Sequence, residues 1–196
     1  MKDPITQVGD PVLRTVAKPV PKADIGTPTL TKILKKMSAA LAKEGFGVAI
    51  AAPQIGESLR IFVVSGKVFE ESDESPEANA DTSHSDVEGE QKGSRSTPPD
   101  MVFINPEITK LSRKKREMSE GCLSVRGKYG TVMRHEKASV RAWDESGKVF
   151  AYNGSGLLAQ IFQHEVDHLD GTLYIDKAVK LEEDTKRAEL RDKHHA

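Results

Sequence analysis

The chain has 196 residues, 30% of which are charged, and its formal net charge at pH 7 is -1. This length suits one domain, which we predict over residues 1–196, and the balanced charge argues against binding of nucleic acid or acidic membranes by bulk electrostatics. An apolar run of membrane-spanning length and an apolar N-terminal signal segment are both missing from the sequence, so we expect a soluble, intracellular protein located in the cytoplasm or an organelle.

The first quarter of the chain predicts an arm, a helix and a strand. Residues 1–20 indicate an arm folded over the domain. Thr27-Pro28 is typical of a helix start, and apolar residues recur at every third or fourth position until Gly45, where we expect the helix to end. A strand follows at 60–64. The helix needs no role beyond core packing.

The segment that joins this helix to the strand, residues 45–54, is rich in glycine and alanine. Such residues let another backbone come close, and Gln54 offers an amide donor that could meet a developing oxyanion. Small-residue segments are more often sites of tight packing, so both interpretations stay open at this point.

The composition changes abruptly at residues 67–100, where acidic residues and serines dominate. A segment of this kind has too little apolar surface to offset the entropy lost on ordering. We therefore predict a flexible acidic insertion between two strands, of which the second begins at Met101 and is closed by a turn at Asn105-Pro106.

The second half of the chain predicts strands followed by a helix. The basic patch at 113–116 is most simply a solvated strand edge, and Asp144-Glu145-Ser146-Gly147 is typical of a hairpin turn. A helix is predicted over 157–169. Residues 173–176 indicate a short strand or bend, and the residues from Leu181 onward a charged helix or frayed tail.

The predicted helix at 157–169 carries the pattern H-E-x-x-H. In a helix, His164 and His168 lie one turn apart on one face, with Glu165 about 100° round the axis from His164. Paired histidines also occur as core or solvated residues. The adjoining glutamate and the apolar run before it favour a divalent metal, with Glu165 placed to act as a base.

A metal site of this kind needs a third ligand, and no further histidine or glutamate follows in 169–178. The chain has a single cysteine, Cys122, which excludes an intramolecular disulfide. Lone cysteines are usually buried and inert. The Gly121 that precedes Cys122 lets backbone approach closely, so this cysteine is a candidate ligand.

Three segments in this order resemble the signature motifs of peptide deformylases. They are Gly47-Val48-Ala49-Ile50-Ala51-Ala52-Pro53-Gln54, Glu120-Gly121-Cys122-Leu123-Ser124 and Gln163-His164-Glu165-Val166-Asp167-His168. The start at Val8-Gly9-Asp10-Pro11-Val12-Leu13-Arg14 is also similar to that family. Apart from the insertion, the resemblance covers the chain from about residue 4 to about residue 177, and three ordered motifs are far more specific than the helix alone.

The resemblance implies an α+β fold, with small mixed or antiparallel sheets packed around a central metal-binding helix. It implies a metal-dependent hydrolase that removes the N-formyl group from the formyl-methionine of newly made polypeptides. The metal is expected to be Fe²⁺, for which Zn²⁺, Ni²⁺ or Co²⁺ can substitute. The partners would be N-formylmethionyl nascent peptides and, as a candidate, the ribosome, without nucleic-acid readout or membrane binding.

The resemblance also assigns roles to residues. The metal ligands would be Cys122, His164 and His168, and Glu165 would be the acid and base. The oxyanion donors would be the Gln54 side chain and the Leu123 backbone N–H. An extended peptide would add as a strand beside 45–50, with substrate contacts from Gly47, Val48, Ala49, Gly121 and Leu157.

Some residues depart from the family pattern. Ala49 replaces the usual second glycine, which would place a methyl beside the peptide path, and Arg126 replaces a common proline. We also expect Glu120 and Arg134 to form an ion pair that orients the Cys122 turn. Two alternatives remain: a peptidase that cuts internal peptide bonds, and a degenerate member that binds nascent chains or ribosomes.

Overall fold

The computed structural model describes residues 3–70 and 98–183. Its helices are α1 (Pro28–Ala42), α2 (Lys67–Glu70), α3 (Gly156–Leu169) and α4 (Tyr174–Lys177). Its strands are β1 (Ala49–Ala51), β2 (Ile61–Val64), β3 (Met101–Leu111), β4 (Lys115–Cys122), β5 (Val125–His135), β6 (Lys137–Trp143), β7 (Val149–Ser155) and β8 (Ala178–Glu183). Short 3₁₀ turns form at Pro11–Arg14, Lys22–Asp24 and Ala52–Ile55.

The described strands form two antiparallel sheets. The larger sheet has the order β1-β2-β3-β6-β7, and the smaller has the order β4-β5-β8. All strand pairs in both sheets are antiparallel. The β1 strand is an edge of the larger sheet, so one side of its backbone has no strand neighbour in the part of the chain described here.

Helices cover both faces of the larger sheet because its central strands alternate their side chains. Phe62 and Val64 of β2 pack in one buried cluster with Phe162 of α3. Their neighbours Ile61 and Val63 point the other way and pack in a second cluster with α1. Phe62 and Phe103 stack at 4.5 Å between ring centroids. The helix α3 is therefore held in the interior, as the predicted fold class requires, and that class is confirmed.

The first helix follows its sequence signals. The Thr27 hydroxyl accepts a hydrogen bond from the backbone N–H of Leu30, and Pro28 occupies the first helical position. The helix ends at Ala42, slightly before the predicted end at Gly45. The predicted arm is also found, because Ala17 N–H donates to Leu169 O at 2.8 Å and joins the arm to the end of α3.

Three predictions of local structure were wrong. The turn at Asn105 does not end β3, which continues to Leu111 across a register shift, with Asn105 at a φ of 49°. Residues 174–177 form the helix α4, where a short strand or bend was predicted over 173–176. Residues 178–183 form β8, because they pair with β5, a partner that local sequence does not reveal, so the charged helix or tail predicted from Leu181 is wrong for 181–183. Beyond 183 that prediction lies outside the described residues.

The predicted flexible insertion at 67–100 lies for the most part outside the described residues. Of its ends, 67–70 form α2 and 98–100 lead into β3. The prediction of one domain with such an insertion stays a prediction. Among the described residues, no helix is both long and apolar enough to cross a membrane.

Candidate metal centre

Three side chains that could bind a metal meet between the end of β4 and the helix α3. Cys122 is the last residue of β4, and His164 and His168 lie on α3. One ligand atom from each lies within 4.8 Å of the others. Within this group, Cys122 Sγ lies 3.2 Å from His168 Nε2. The structure thus brings together all three residues that the sequence indicated as ligands.

Local packing fixes the two elements that carry these ligands. The rings of His164 and His168 are 5.0 Å apart between centroids, as expected for side chains one turn apart on a helix. Before Cys122, Gly121 lies so close to the Tyr129 ring that a Cβ there would be 2.7 Å from it. A side chain at 121 would therefore displace the Tyr129 ring, which favours glycine there, and the predicted contact of Gly121 with substrate stays a prediction.

The predicted pair of Glu120 and Arg134 is present and buried. Arg134 donates from Nε to Glu120 Oε1 at 2.6 Å and from Nη2 to Oε2 at 2.9 Å. Glu120 Oε2 also lies 2.9 Å from His164 Nδ1, and Arg134 Nη1 donates to Asp167 at 2.7 Å. A carboxylate on Nδ1 leaves Nε2 as the nitrogen of His164 available to a cation.

Electrostatics favour the anionic forms of the thiol and of Glu120. Burial raises the pKa of Cys122, but the charge of His168 and a hydrogen bond with His164 outweigh it and lower the pKa to about 5. Burial likewise raises the pKa of Glu120, while hydrogen bonds from Arg134 and His164 lower it to about 2. The centre therefore presents a thiolate, the form of cysteine that binds metals.

Glu165 is buried beside this centre with one carboxylate oxygen unused. Its Oε2 has no hydrogen-bond partner among the described residues, and the same holds for His168 Nδ1. Burial raises the pKa of the Glu165 carboxyl. An unsatisfied buried polar atom costs about 1–3 kcal/mol, so such atoms mark places where a ligand or water completes the structure.

The side chain of Gln54 reaches the same centre in a fixed orientation. Its Oε1 accepts the Ala51 N–H at 2.8 Å, which points Nε2 toward Cys122 Sγ at 3.5 Å and Ser124 Oγ at 3.2 Å. The Ser124 N–H also approaches Cys122 Sγ, at 3.4 Å. An amide donor is therefore held next to the thiolate.

The N-terminal arm supports this region in a way that the sequence did not reveal. Gln7 donates from Nε2 to Leu123 O at 3.2 Å, and the Val8 N–H donates to Ser124 O at 2.8 Å. The Thr6 N–H donates to Gln54 O at 2.8 Å. These contacts join residues more than 40 positions apart, and although Val8 belongs to the N-terminal segment that resembles the family, that segment does not indicate the partners in the chain.

The predicted substrate contacts lie around β1 and the start of α3. Val48 and Leu157 have exposed side chains, and a Cβ on Gly47 would come within 2.9 Å of Leu41. Ala49 is only 6% exposed and packs in the core cluster with Val64. Its methyl therefore packs in the core, and the expectation that it lies beside the peptide path stays a prediction.

The donor set fits a divalent metal. One thiolate and two imidazoles are ligands that suit zinc, iron, nickel and cobalt, and three protein ligands leave a position for water or substrate. The unpartnered Glu165 oxygen is consistent with such a position. The arrangement could therefore support hydrolysis assisted by a metal ion and a carboxylate base.

Comparison with known proteins agrees with this chemistry. The family model described as Polypeptide deformylase matches residues 2–184. The peptide deformylase of Halothermothrix orenii is 39% identical over 180 residues, which cover 92% of this chain and 96% of that protein. Peptide deformylase 1A, chloroplastic, of Solanum lycopersicum is 36% identical over 173 residues, and the match spans 88% of this chain but 58% of that protein's length.

Solved structures give the same result. The crystal structure of a peptide deformylase from Legionella pneumophila superposes with a TM-score of 0.69 at 34% identity. The match covers 96% of this chain and 90% of that one.

Proposed function

The chain belongs to the peptide deformylase family, and from this premise we propose that it removes the formyl group from the N-terminal formyl-methionine of new polypeptides and releases formate. The observation that carries the proposal is the meeting of Cys122, His164 and His168 beside an unpartnered, buried Glu165 oxygen. The reaction breaks the C–N bond of the formyl amide, leaving formate and a free α-amine.

We assign Cys122, His164 and His168 as the ligands of one divalent cation, and we propose Fe²⁺ as the physiological ion, with Zn²⁺, Ni²⁺ or Co²⁺ able to replace it. A cation of this kind acts as a Lewis acid and lowers the pKa of water, so that hydroxide is available near neutral pH. Glu120 keeps the His164 ring in its orientation through the 2.9 Å contact at Nδ1.

The other residues act on protons and on charge. Glu165 accepts a proton from the attacking water and passes it to the departing amine, a role that its unused Oε2 supports. The Gln54 amide and the Leu123 N–H donate hydrogen bonds to the formyl oxygen as it gains negative charge. Because Ala51 holds Gln54 Oε1, the amide is oriented before substrate arrives, which is the condition for effective stabilisation.

We propose that the peptide binds as an added strand along the open edge of β1. Main-chain hydrogen bonds would come from the segment around Gly47 and Ala49, with Gly121 opposite. The exposed side chains of Val48 and Leu157 would form part of an apolar pocket for the methionine.

The test begins with anaerobic purification and metal analysis, followed by a formate-release assay on formyl-Met-Ala-Ser. Glu165→Gln should keep its metal and lose turnover, since it preserves size while removing the base. Glu117→Gln is the matched control, because Glu117 is an exposed carboxylate on β4. Unchanged turnover in Glu165→Gln would refute the assignment of Glu165 as the base. If the wild-type protein hydrolysed casein and released no formate, it would instead be a peptidase that cuts internal bonds.

We propose that the ribosome is a partner of this protein and that the protein is located in the cytoplasm. Both rest on the family's substrate, which is made on ribosomes, and the relatives include bacterial proteins and a chloroplast protein. Cosedimentation with ribosomes that carry a formylated nascent chain, compared with vacant ribosomes, tests the first proposal.

A further inference from the structure

Two stretches of chain face each other beside the candidate metal centre. One stretch runs from Glu44 to Gln54 and includes β1, and the other runs from Cys122 to Gly127. At the inner end they touch through Gln54 Nε2, which lies 3.5 Å from Cys122 Sγ and 3.2 Å from Ser124 Oγ. At the outer end they touch through an ion pair, in which Arg126 Nη2 lies 3.1 Å from Glu44 Oε1.

The outer contact is a cluster of three charges, of which Arg126 and Glu44 are partly buried and Asp3 is exposed. Arg126 Nη2 also lies 2.9 Å from a carboxylate oxygen of Asp3, so one guanidinium nitrogen bridges two acids. The side chains of Arg126 and Glu44 are 25% and 14% exposed. Charge pairs that are shielded from water are screened less by solvent and salt than pairs on the surface, so this contact is a stronger tether than the exposed pairs of the protein.

Glu44 connects this ion pair to the segment where the peptide is expected to bind, because its backbone is hydrogen-bonded to that segment. Its backbone O accepts the Gly47 N–H at 3.0 Å, and its own N–H donates to Leu41 O at 3.0 Å. Gly47 is closely packed against Leu41, and the next residue, Val48, leads into β1. A shift of Glu44 therefore moves the turn that begins the open strand edge.

We propose that Arg126 is a positioning residue that sets the spacing between these two stretches and thereby the affinity for the peptide. The inference rests on the proposed function, since it concerns the path along β1. Arg126 acts on this path through its contact with Glu44.

The test uses the full-length protein loaded with Ni²⁺. A single variant reverses the charge at position 126, and a double variant exchanges the charges at positions 44 and 126. Arg126→Glu places a third carboxylate beside Glu44 and Asp3, so the stretches should separate. We expect KM for formyl-Met-Ala-Ser to rise about tenfold, equivalent to about 1.4 kcal/mol, with kcat changed less than about twofold. The double variant Glu44→Arg/Arg126→Glu again has one cation and two acids at the cluster and should return KM to within about threefold of the wild type.

The matched control is Arg141→Glu, which reverses an exposed pair with Glu107 on the larger sheet and should leave both constants unchanged. If Arg126→Glu does not fold, Arg126→Gln makes the same test with an expected rise in KM of about threefold. An unchanged KM in a folded Arg126 variant, a loss confined to kcat, or a double variant no better than the single one would overturn the proposal.

A second readout separates this proposal from the proposed function. Binding of the product peptide Met-Ala-Ser, measured by calorimetry, should weaken in Arg126→Glu by the same factor as KM and recover in the double variant. Absence of formate release by the metal-loaded wild type would refute the proposed function. Active wild type with equal peptide affinity in all variants would refute the role of Arg126 alone.

Discussion

Replacing Arg134 with alanine should destabilise the protein strongly, because its charge is buried and is shared by three elements. Arg134 on β5 binds Glu120 on β4 through two hydrogen bonds and Asp167 on α3 through a third. Arg134 and Glu120 are 3% and 4% exposed. Removing one partner of such a pair leaves an uncompensated buried charge and costs about 3–5 kcal/mol.

Urea unfolding at pH 7, followed by circular dichroism with and without a chelator, measures this cost. The matched control is Arg141→Ala, which breaks the pair between Arg141 and Glu107, whose side chains are 59% and 65% exposed. That change should cost about 0–1 kcal/mol. Arg134→Lys should lie between the two, because it keeps the charge but not the two parallel hydrogen bonds to Glu120.

The same substitution should weaken metal binding, since Glu120 holds His164 through Nδ1 and loses its own partner. Loss of such supporting contacts typically lowers metal affinity by about 10–100-fold. The reasoning would be refuted if Arg134→Ala unfolded within about 1 kcal/mol of Arg141→Ala. If Arg134→Ala kept its metal content and turnover, the proposal that the Glu120–Arg134 pair orients the Cys122 turn would be refuted.

Two further predictions concern catalysis and pH. Gln54→Ala removes a donor held beside Cys122, so kcat should fall by about 10²–10³ with a smaller change in KM, and a change in KM alone would contradict its assignment to the oxyanion. The hydrogen bond from Arg14 lowers the pKa of Asp176 below its usual value of 3.8, so the stability that Asp176 contributes is present above that pH and is lost as pH falls through the lowered value. Because this pair is exposed, Asp176→Asn should lower the free energy of unfolding at pH 7 by less than about 1 kcal/mol. In thermal melts the difference between the two proteins should shrink as pH falls below 3.8, and a difference that stays constant with pH would contradict the linkage.

The elements that the sequence predicted well are those with local signals. The cap at Thr27 and the repeating apolar positions identify α1 without reference to the rest of the chain. The hairpin between β6 and β7 follows from its turn residues, since the Gly147 N–H donates to Asp144 O. The family resemblance supplied the rest of the fold class, because three motifs in a fixed order imply more than any single helix.

The elements that the sequence missed depend on partners distant in the chain. The strand β8 looks like a charged tail until its pairing with β5 is known. The contact of Gln7 with Leu123 spans 116 positions and needs no special residue type at either end. The metal ligands of the candidate site could be predicted because cysteine and paired histidines have unusual chemistry. The contacts of the N-terminal arm and of Arg126 could not be predicted, because they are ordinary polar contacts.

The three candidate ligands come from different parts of the fold. The stability of the folded protein should therefore depend on the supply of the cation. Cys122 belongs to the smaller sheet and His168 to the helix buried against the larger one, 46 positions away in sequence. An ion shared between them would act as a crosslink that exists only while the chain is folded. Its binding energy would then add to resistance against unfolding as the ion concentration rises above the dissociation constant. Cells starved of the ion would lose the polypeptide itself to proteolysis, and not merely its turnover.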